Sequence, residues 1–380
     1  MNAWRNAGIT DAALAFRGYN ITNLGRTAEF LAVSAYRDLL IEELGRYGDI
    51  CADTIGQPVD LLQAVRSRLE FDLDRYAEAI ALVVAVEMAQ LRMLREVHGV
   101  DYGGAKLAFG YSLGEMVAAC AGGAFAPEDL VRVPLAMAKD CAELARDVQM
   151  GVLFSRDAAI PEAEVRRLCV QVTREGAGTI GVSAILSPNT YLLVGQNSSV
   201  EHFRALVRHQ RPTAQVRCNP HRWPPLHTPI VRQRNVPDRA AVMMEALKPG
   251  RFPPRPPVIS LVTGKRSYDE HSARETLRQW IDHPQRLWDA VCETLAEGVK
   301  FVLHIGPAPN VIPATFTRLA ENVRQQTAGR SFDAYRKKAI SGIVQRQWLA
   351  ALLPARASLL RAPYVQQVIV EDWLLDNAPR

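Results

Sequence analysis

The chain has little cysteine and no C-x-x-C pair: its six cysteines, Cys51, Cys120, Cys141, Cys169, Cys218 and Cys292, stand singly among 380 residues. Such spacing excludes a disulfide framework or a cysteine-built zinc finger, and reads as reduced thiols placed mostly in a core. No stretch reaches the roughly 18 uninterrupted apolar residues of a membrane span, and the opening Met-Asn-Ala-Trp-Arg-Asn-Ala-Gly has no apolar signal core. The expected location is therefore cytoplasmic. Lysine and arginine exceed aspartate and glutamate by 45 to 40, a net charge of +5. No aromatic-interleaved basic cluster accompanies that mild excess, so nucleic acid is not an expected partner. No metal-ligand spacing is visible, and neither a metal nor a bound cofactor is expected.

What is present describes an ordinary globular protein, with 48% hydrophobic and 22% charged residues. Its length admits one large α/β domain with an insert, or two domains. Within it, Leu107-Ala-Phe109 runs into Gly110-Tyr-Ser-Leu-Gly114, and a helical pattern follows from Glu115. Strand, sharp turn and helix with a hydroxyl at the corner is the context that gives a G-x-S-x-G match meaning. Ser112 is the candidate nucleophile, presented at a helix N-terminus where free N–H groups can hold an oxyanion. The Leu113 N–H is the first such donor.

Upstream, Leu14-Ala-Phe16 reads as a strand entering the turn Arg17-Gly-Tyr-Asn20, with helical patterns over Thr27 to Leu44, Asp60 to Val65 and Asp74 to Val97. The last is apolar nearly all round and is expected to be buried. Past the elbow, a helix runs from Ala126 to about Arg146, with Pro134 expected to bend it. From Gly151 the pattern alternates as βαββα, resembling a small split-βαβ insert. The segment Cys218 to Val231 carries four prolines and both His221 and His227, a stiff loop suited to delivering an imidazole to a distant nucleophile. A helix from Asp238 to Leu247, a strand Val258 to Val262, helices Glu275 to Ile281 and Gln285 to Ala296, a strand Lys300 to His304 and a helix from Ile312 follow. This alternation implies a mostly parallel, helix-covered sheet. Beyond Gln326 the chain turns basic (Arg330, Arg336, Lys337, Lys338, Arg346) and closes on Val365 to Leu375 without a catalytic signature.

Taken together these residues resemble the malonyl-CoA:acyl carrier protein transacylases and the acyltransferase domains of polyketide synthases. Gly110-Tyr-Ser-Leu-Gly-Glu115 is similar to the family's G-H-S-x-G-E, Leu226-His-Thr-Pro-Ile-Val231 to F-H-S-P-L-M, and Phe301 to Asn310 to the F-x-E-x-G-P-G strand and turn. Leu186 to Gly195 is similar to the hairpin N-S-P-x-x-x-V-x-x-G. The resemblance spans about residues 14 to 325. It implies a hydrolase-like α/β core over 1–148 and 216–326, a ferredoxin-like subdomain over 149–215, and a C-terminal extension over 327–380. It further implies a Ser112–His227 dyad that moves an acyl group from acyl-CoA, or from an acyl carrier protein, through an acyl-Ser112 ester to the phosphopantetheine thiol of an acyl carrier protein, in polyketide or fatty acid biosynthesis. His227 is preferred to His221 because only His227 precedes the matching Thr-Pro-Ile-Val.

By the same resemblance the imidazole is oriented by the turn at Pro309 and Asn310, and Tyr19 supplies the second oxyanion N–H in place of the glutamine of P-G-Q-G-S-Q. Tyr111 replaces the histidine before the nucleophile, Leu226 precedes the base, and Met137 falls where malonyl-specific members carry a carboxylate-binding arginine. A thioether cannot offset the desolvation of a carboxylate, so an uncharged acyl group is expected, with Lys139, Arg132 or a loop arginine as alternative clamps for malonyl. A hydrolase clearing acyl carrier proteins uses the same dyad with water as acceptor. An acidic carrier protein is expected near Arg222, Arg232 and Arg234 or the basic tail.

Overall fold

The run Ala12-Ala-Leu-Ala-Phe16 has five apolar side chains, all buried, and forms strand β1 at the middle of a sheet. The computed structural model of the protein describes Trp4 and residues 8–155, 159–328 and 355–379; Arg330, Arg336, Lys337, Lys338 and Arg346 lie outside the described residues. The expected helix from Thr27 divides into a turn, Thr27–Phe30, and α1, Ser34–Ile55. Asp60 caps the short helix Leu61–Ser67, accepting from the Gln63 N–H at 2.8 Å. Helix α2, Tyr76–Arg92, is buried around its circumference, as its apolar run Ala79 to Val86 requires.

Strand β2 is Leu107–Gly110 and helix α3 is Leu113–Ala121. The bend expected at Pro134 falls earlier. A short helix, Pro127–Leu130, stops and α4, Arg132–Leu144, begins, because Pro134 has no N–H to offer the Leu130 carbonyl. Then come β3 (Val148–Ser155), α5 (Glu162–Arg174), β4 (Ile180–Ser187), β5 (Thr190–Gln196) and α6 (Ser199–Gln210). A strand absent from the expected pattern, β6 (Ala214–Asn219), completes this unit, its alternation hidden because its outward positions Gln215 and Arg217 are exposed. The remaining elements are α7 (Val236–Glu245), α8 (Ala273–Trp280), α9 (Leu287–Ala296), β7 (Phe301–Ile305), α10 (Val311–Ala328), β8 (Gln366–Ile369) and α11 (Val370–Asp376).

One expected strand does not form. Residues 258–262 meet β2 only at Ala108, whose N–H donates to Pro257 O (2.8 Å) and whose carbonyl accepts from the Ile259 N–H (2.9 Å). Ser260 and Leu261 then turn inward to the carboxylate of Glu115.

Strands β2, β1, β7 and β8 lie side by side in that order, all parallel. Phe16 is level with Gly110 on one side and Ile305 on the other. Three loops therefore leave the same carboxyl edge, where parallel sheets place their reactive groups: the one after Phe16, the Ser112 elbow, and the Gly306 turn. The second sheet is antiparallel, in the order β4-β5-β3-β6. One of its faces packs on α5 and α6 through residues such as Leu153, Leu193, Val165 and Phe203. The alternate side chains Met150, Val152, Leu192 and Val194 face a cleft toward the first sheet. Among the described residues no helix is long and apolar enough to cross a membrane, and no group of His, Cys, Asp and Glu could hold a metal ion.

Candidate functional site

The corner at Ser112 is backbone-strained, with φ 55° and ψ −120°, a conformation that persists only where its surroundings impose it. Flanking glycines permit the close approach: a Cβ on Gly110 would lie 2.0 Å from the Gly114 carbonyl carbon, and one on Gly114 would lie 2.4 Å from Phe16 O. The Ser112 peptide groups are also held from outside. Its N–H donates to Gln285 Oε1 at 3.0 Å, and its carbonyl accepts from Trp280 Nε1 at 2.9 Å. One turn on, the buried Glu115 accepts from Ser260 Oγ (2.5 Å), Tyr268 Oη (2.9 Å) and the Leu261 N–H (3.0 Å). Burial still pushes this carboxyl up to about 7, against those three donors. It thereby ties the helix that follows Ser112 to residues 260–268.

The proline loop brings His227 to this corner. Its Nε2 lies 2.8 Å from Ser112 Oγ and its Nδ1 lies 2.6 Å from the carbonyl oxygen of Trp280. A carbonyl only accepts, so the Nδ1 nitrogen carries the proton and Nε2 presents its lone pair to the serine hydroxyl. The His227 backbone, at φ 65°, is pinned by its own N–H to Ile281 O at 2.7 Å. Burial lowers the imidazole to about 4, with the Trp280 carbonyl opposing the shift. The ring is thus neutral, as a proton acceptor must be, across the neutral range.

The orientation of that ring differs from expectation. Pro309 and Asn310 do not bond the imidazole: Asn310 lines the cleft, and Pro309 borders a small void beside Arg17 and Tyr111. The orienting carbonyl comes instead from the last residue of α8, where a helix end leaves carbonyl oxygens without intrahelical partners. Neither Trp280 nor Gln285 was singled out in the sequence. The break at His283-Pro284 between two amphipathic runs marks the segment as a loop, and nothing in it signals chemistry.

Ser112 and His227 lie on the wall of a cleft of about 450 Å³ between the two sheets. Tyr19, Tyr111, Leu226 and the second candidate histidine, His221, also line it. Tyr19 stacks edge-on with Tyr76, ring centroids 4.9 Å apart, and with Trp223 at 6.3 Å. Leu113 opens α3, so its N–H has no intrahelical acceptor. Among the described residues neither the Leu113 nor the Tyr19 N–H has a protein acceptor. Met137 does not line the cleft. It is buried behind Tyr76 and Leu226, in a small apolar void shared with Cys141 and Trp280.

The charged groups named as alternative clamps are also elsewhere. Arg132 pairs with Asp53 at 2.6 Å, Arg222 with Asp74 at 3.5 Å, Arg232 with Asp282 at 2.7 Å and Arg234 with Glu143 at 3.0 Å. Lys139 is exposed on α4 and outside the cleft lining. Among the described lining residues the one arginine or lysine is Arg318, exposed on α10.

No family model matches the chain. Over 254 residues, 66% of its length, it is 26% identical to the spectinabilin polyketide synthase system protein NorB of Streptomyces orinoci, and it spans about 10% of that curated relative. Its fold matches an acyl carrier protein S-malonyltransferase from Vibrio cholerae, with a TM-score of 0.65 at 18% identity over 80% of this chain and 92% of that one. It equally matches the malonyl-transacylase solved in complex with AntF, a type II polyketide synthase acyl carrier protein, at a TM-score of 0.63 and 23% identity over 80% and 91% of the two chains. The chain therefore has the malonyltransferase fold, a parallel α/β layer with a separate antiparallel sheet.

Proposed function

We propose that this protein is an acyltransferase that carries its acyl group as an ester on Ser112. As His227 Nε2 takes the hydroxyl proton, Ser112 Oγ attacks the carbonyl carbon of an acyl-CoA or acyl carrier protein thioester. The carbonyl oxygen becomes an oxyanion between the N–H groups of Leu113 and Tyr19. Collapse breaks the carbon–sulfur bond, and the imidazolium returns its proton to the departing thiolate. The phosphopantetheine thiol of an acyl carrier protein then gives a proton to His227, attacks the ester carbonyl, and leaves with the acyl group as Ser112 is reprotonated. CoA and phosphopantetheine are substrates here, so the protein needs no bound cofactor, and each half-reaction balances with one shuttled proton.

The observation that carries this reading is the 2.8 Å contact between Ser112 Oγ and His227 Nε2, in a tautomer imposed by Trp280 and at the wall of a cleft open to solvent. The lining beside the dyad is aromatic and aliphatic, with Tyr76, Tyr111, Leu226 and Trp223; Arg132, Arg222, Arg232 and Arg234 are paired elsewhere and Lys139 lies outside it, while the one described cation of the lining, Arg318, is exposed on α10. An uncharged acyl donor follows, since an unpaired buried carboxylate costs on the order of several kcal/mol. The partner proposed for the second half-reaction is an acyl carrier protein, the class of molecule bound by the AntF-complexed neighbour.

Intact-mass measurement tests this. The protein is incubated with acetyl-, hexanoyl- and malonyl-CoA, and then with a phosphopantetheinylated carrier protein. Acetyl or hexanoyl mass should appear on the protein and pass to the carrier. Preferential malonyl loading would overturn the donor assignment. Loss of acyl groups from a preloaded carrier without any gain would identify a hydrolase.

A further inference from the structure

The loop after β1 lies directly against the nucleophile: a Cβ on Gly18 would sit 2.5 Å from Tyr111 O and 3.1 Å from Ser112 Cβ. Its first residue, Arg17, is 4% exposed, an uncommon setting for a guanidinium. Nε donates to the Gly18 carbonyl at 2.8 Å, one terminal nitrogen donates to Thr22 O at 3.0 Å, and the other donates to Pro307 O. The Arg17 backbone N–H donates to Glu87 Oε1 at 2.9 Å, on the buried face of α2, while Gln90 Oε1 accepts from the Gly306 N–H at 2.7 Å. Three carbonyls, two of them bracketing Tyr19 in its own loop and the third in the neighbouring Gly306 turn, are thus gathered on one fixed cation.

The consequence lies in the Gly18–Tyr19 peptide. A trans peptide is planar, with its carbonyl and N–H pointing in opposite directions. Fastening the Gly18 oxygen to Arg17 Nε therefore fixes where the Tyr19 N–H points. Removing the fastening leaves that peptide free to rotate and to turn its carbonyl toward the nucleophile, as glycine at position 18 offers little resistance. We propose that Arg17 is a positioning residue that keeps the Tyr19 N–H turned toward the reaction centre, and so keeps the oxyanion site formed. It touches no substrate and acts through the peptide it holds. The inference rests on the acyltransfer reading above.

Two variants test it: Arg17→Lys, which keeps a positive charge at this position but cannot bond three carbonyls at once, and Arg17→Met combined with Glu87→Gln, which removes the cation together with the buried carboxyl group near it and leaves an amide oxygen to accept from the residue-17 N–H. In each, kcat for Ser112 acylation is expected to fall about 100-fold or more, the scale of losing one oxyanion donor, with KM within about threefold. Affinity for an acyl-phosphonate, which mimics the tetrahedral state, should fall in parallel, while affinity for an unreactive thioether analogue of the acyl-CoA stays unchanged. A merely structural role predicts that Arg17→Lys restores kcat, or that both analogues weaken equally; either result overturns the proposal. Retention of kcat within threefold by a folded Arg17→Met/Glu87→Gln protein overturns it as well. Ser112→Ala is measured alongside. Acyl loading that survives in that variant sinks the acyltransfer reading itself, whereas its loss with normal Arg17 variants sinks only the role of Arg17.

Discussion

Lowering the pH should disturb the proposed Ser112–His227 site far later than it disturbs a site built on a histidine of ordinary pKa. His227 is buried and its pKa is depressed to about 4 from the usual 6.5. At pH 5.5 an imidazole titrating at 6.5 is about 9% neutral, whereas one titrating at 4 is about 97% neutral, roughly a tenfold difference in competent base. The assay is kcat/KM for single-turnover acylation of Ser112, which reports the free protein, followed from pH 8 to pH 4.5 with circular dichroism at each point to exclude unfolding. The profile should stay flat to about pH 5 before it bends. An acidic limb centred near 6.5 in a still-folded protein would refute the burial argument.

Further expectations follow from the same contacts. Gln285→Met removes the acceptor of the Ser112 N–H without changing side-chain volume much; the orphaned donor and the strained corner it steadies should cost about 1–3 kcal/mol of stability, read by denaturant unfolding, together with slower acylation. Glu371 accepts from the Ala308 N–H at 2.8 Å and the Arg26 N–H at 2.9 Å, so Glu371→Ala should destabilise the fold by about 2–4 kcal/mol, and an unchanged melting temperature would show that these two bonds carry no stability. His227 and His304 are both depressed to about 4 by burial. The unfolded chain takes up their protons first, so stability present above pH 6.5 is lost as pH falls toward 4, by up to about 3 kcal/mol for each histidine. His304→Gln, which has no proton to gain there, should lose less of its melting temperature between pH 7 and pH 5 than the parent protein.

The elbow was readable from sequence because its chemistry is local: strand, two glycines, a serine and a helix must follow one another for Ser112 to stand where it does. The parallel core was readable for the same reason, as short apolar runs such as Ala12–Phe16 and Phe301–Ile305 alternate with helical patterns. What escaped is long-range. The carbonyl that orients His227 belongs to Trp280, and any residue type could supply a backbone carbonyl, so composition leaves no trace of it. Residues 258–262 have strand-forming side chains yet are diverted by a tertiary contact, the carboxylate of Glu115. The end of the chain reads as an accessory element, but β8 pairs in parallel with β7 from Gln366 to Ile369 and places Glu371 under the Gly306 turn. Such hydrogen-bonded closure of a sheet depends on register rather than on side-chain pattern.

The most direct test of the whole account is to find the acyl group. Protein mixed with hexanoyl-CoA, quenched in acid within seconds and digested, should show the added hexanoyl mass on the peptide containing Ser112, and no such mass in Ser112→Ala or when His227 is replaced by alanine. A label on any other residue, or equal labelling of the Ser112→Ala protein, would contradict the account.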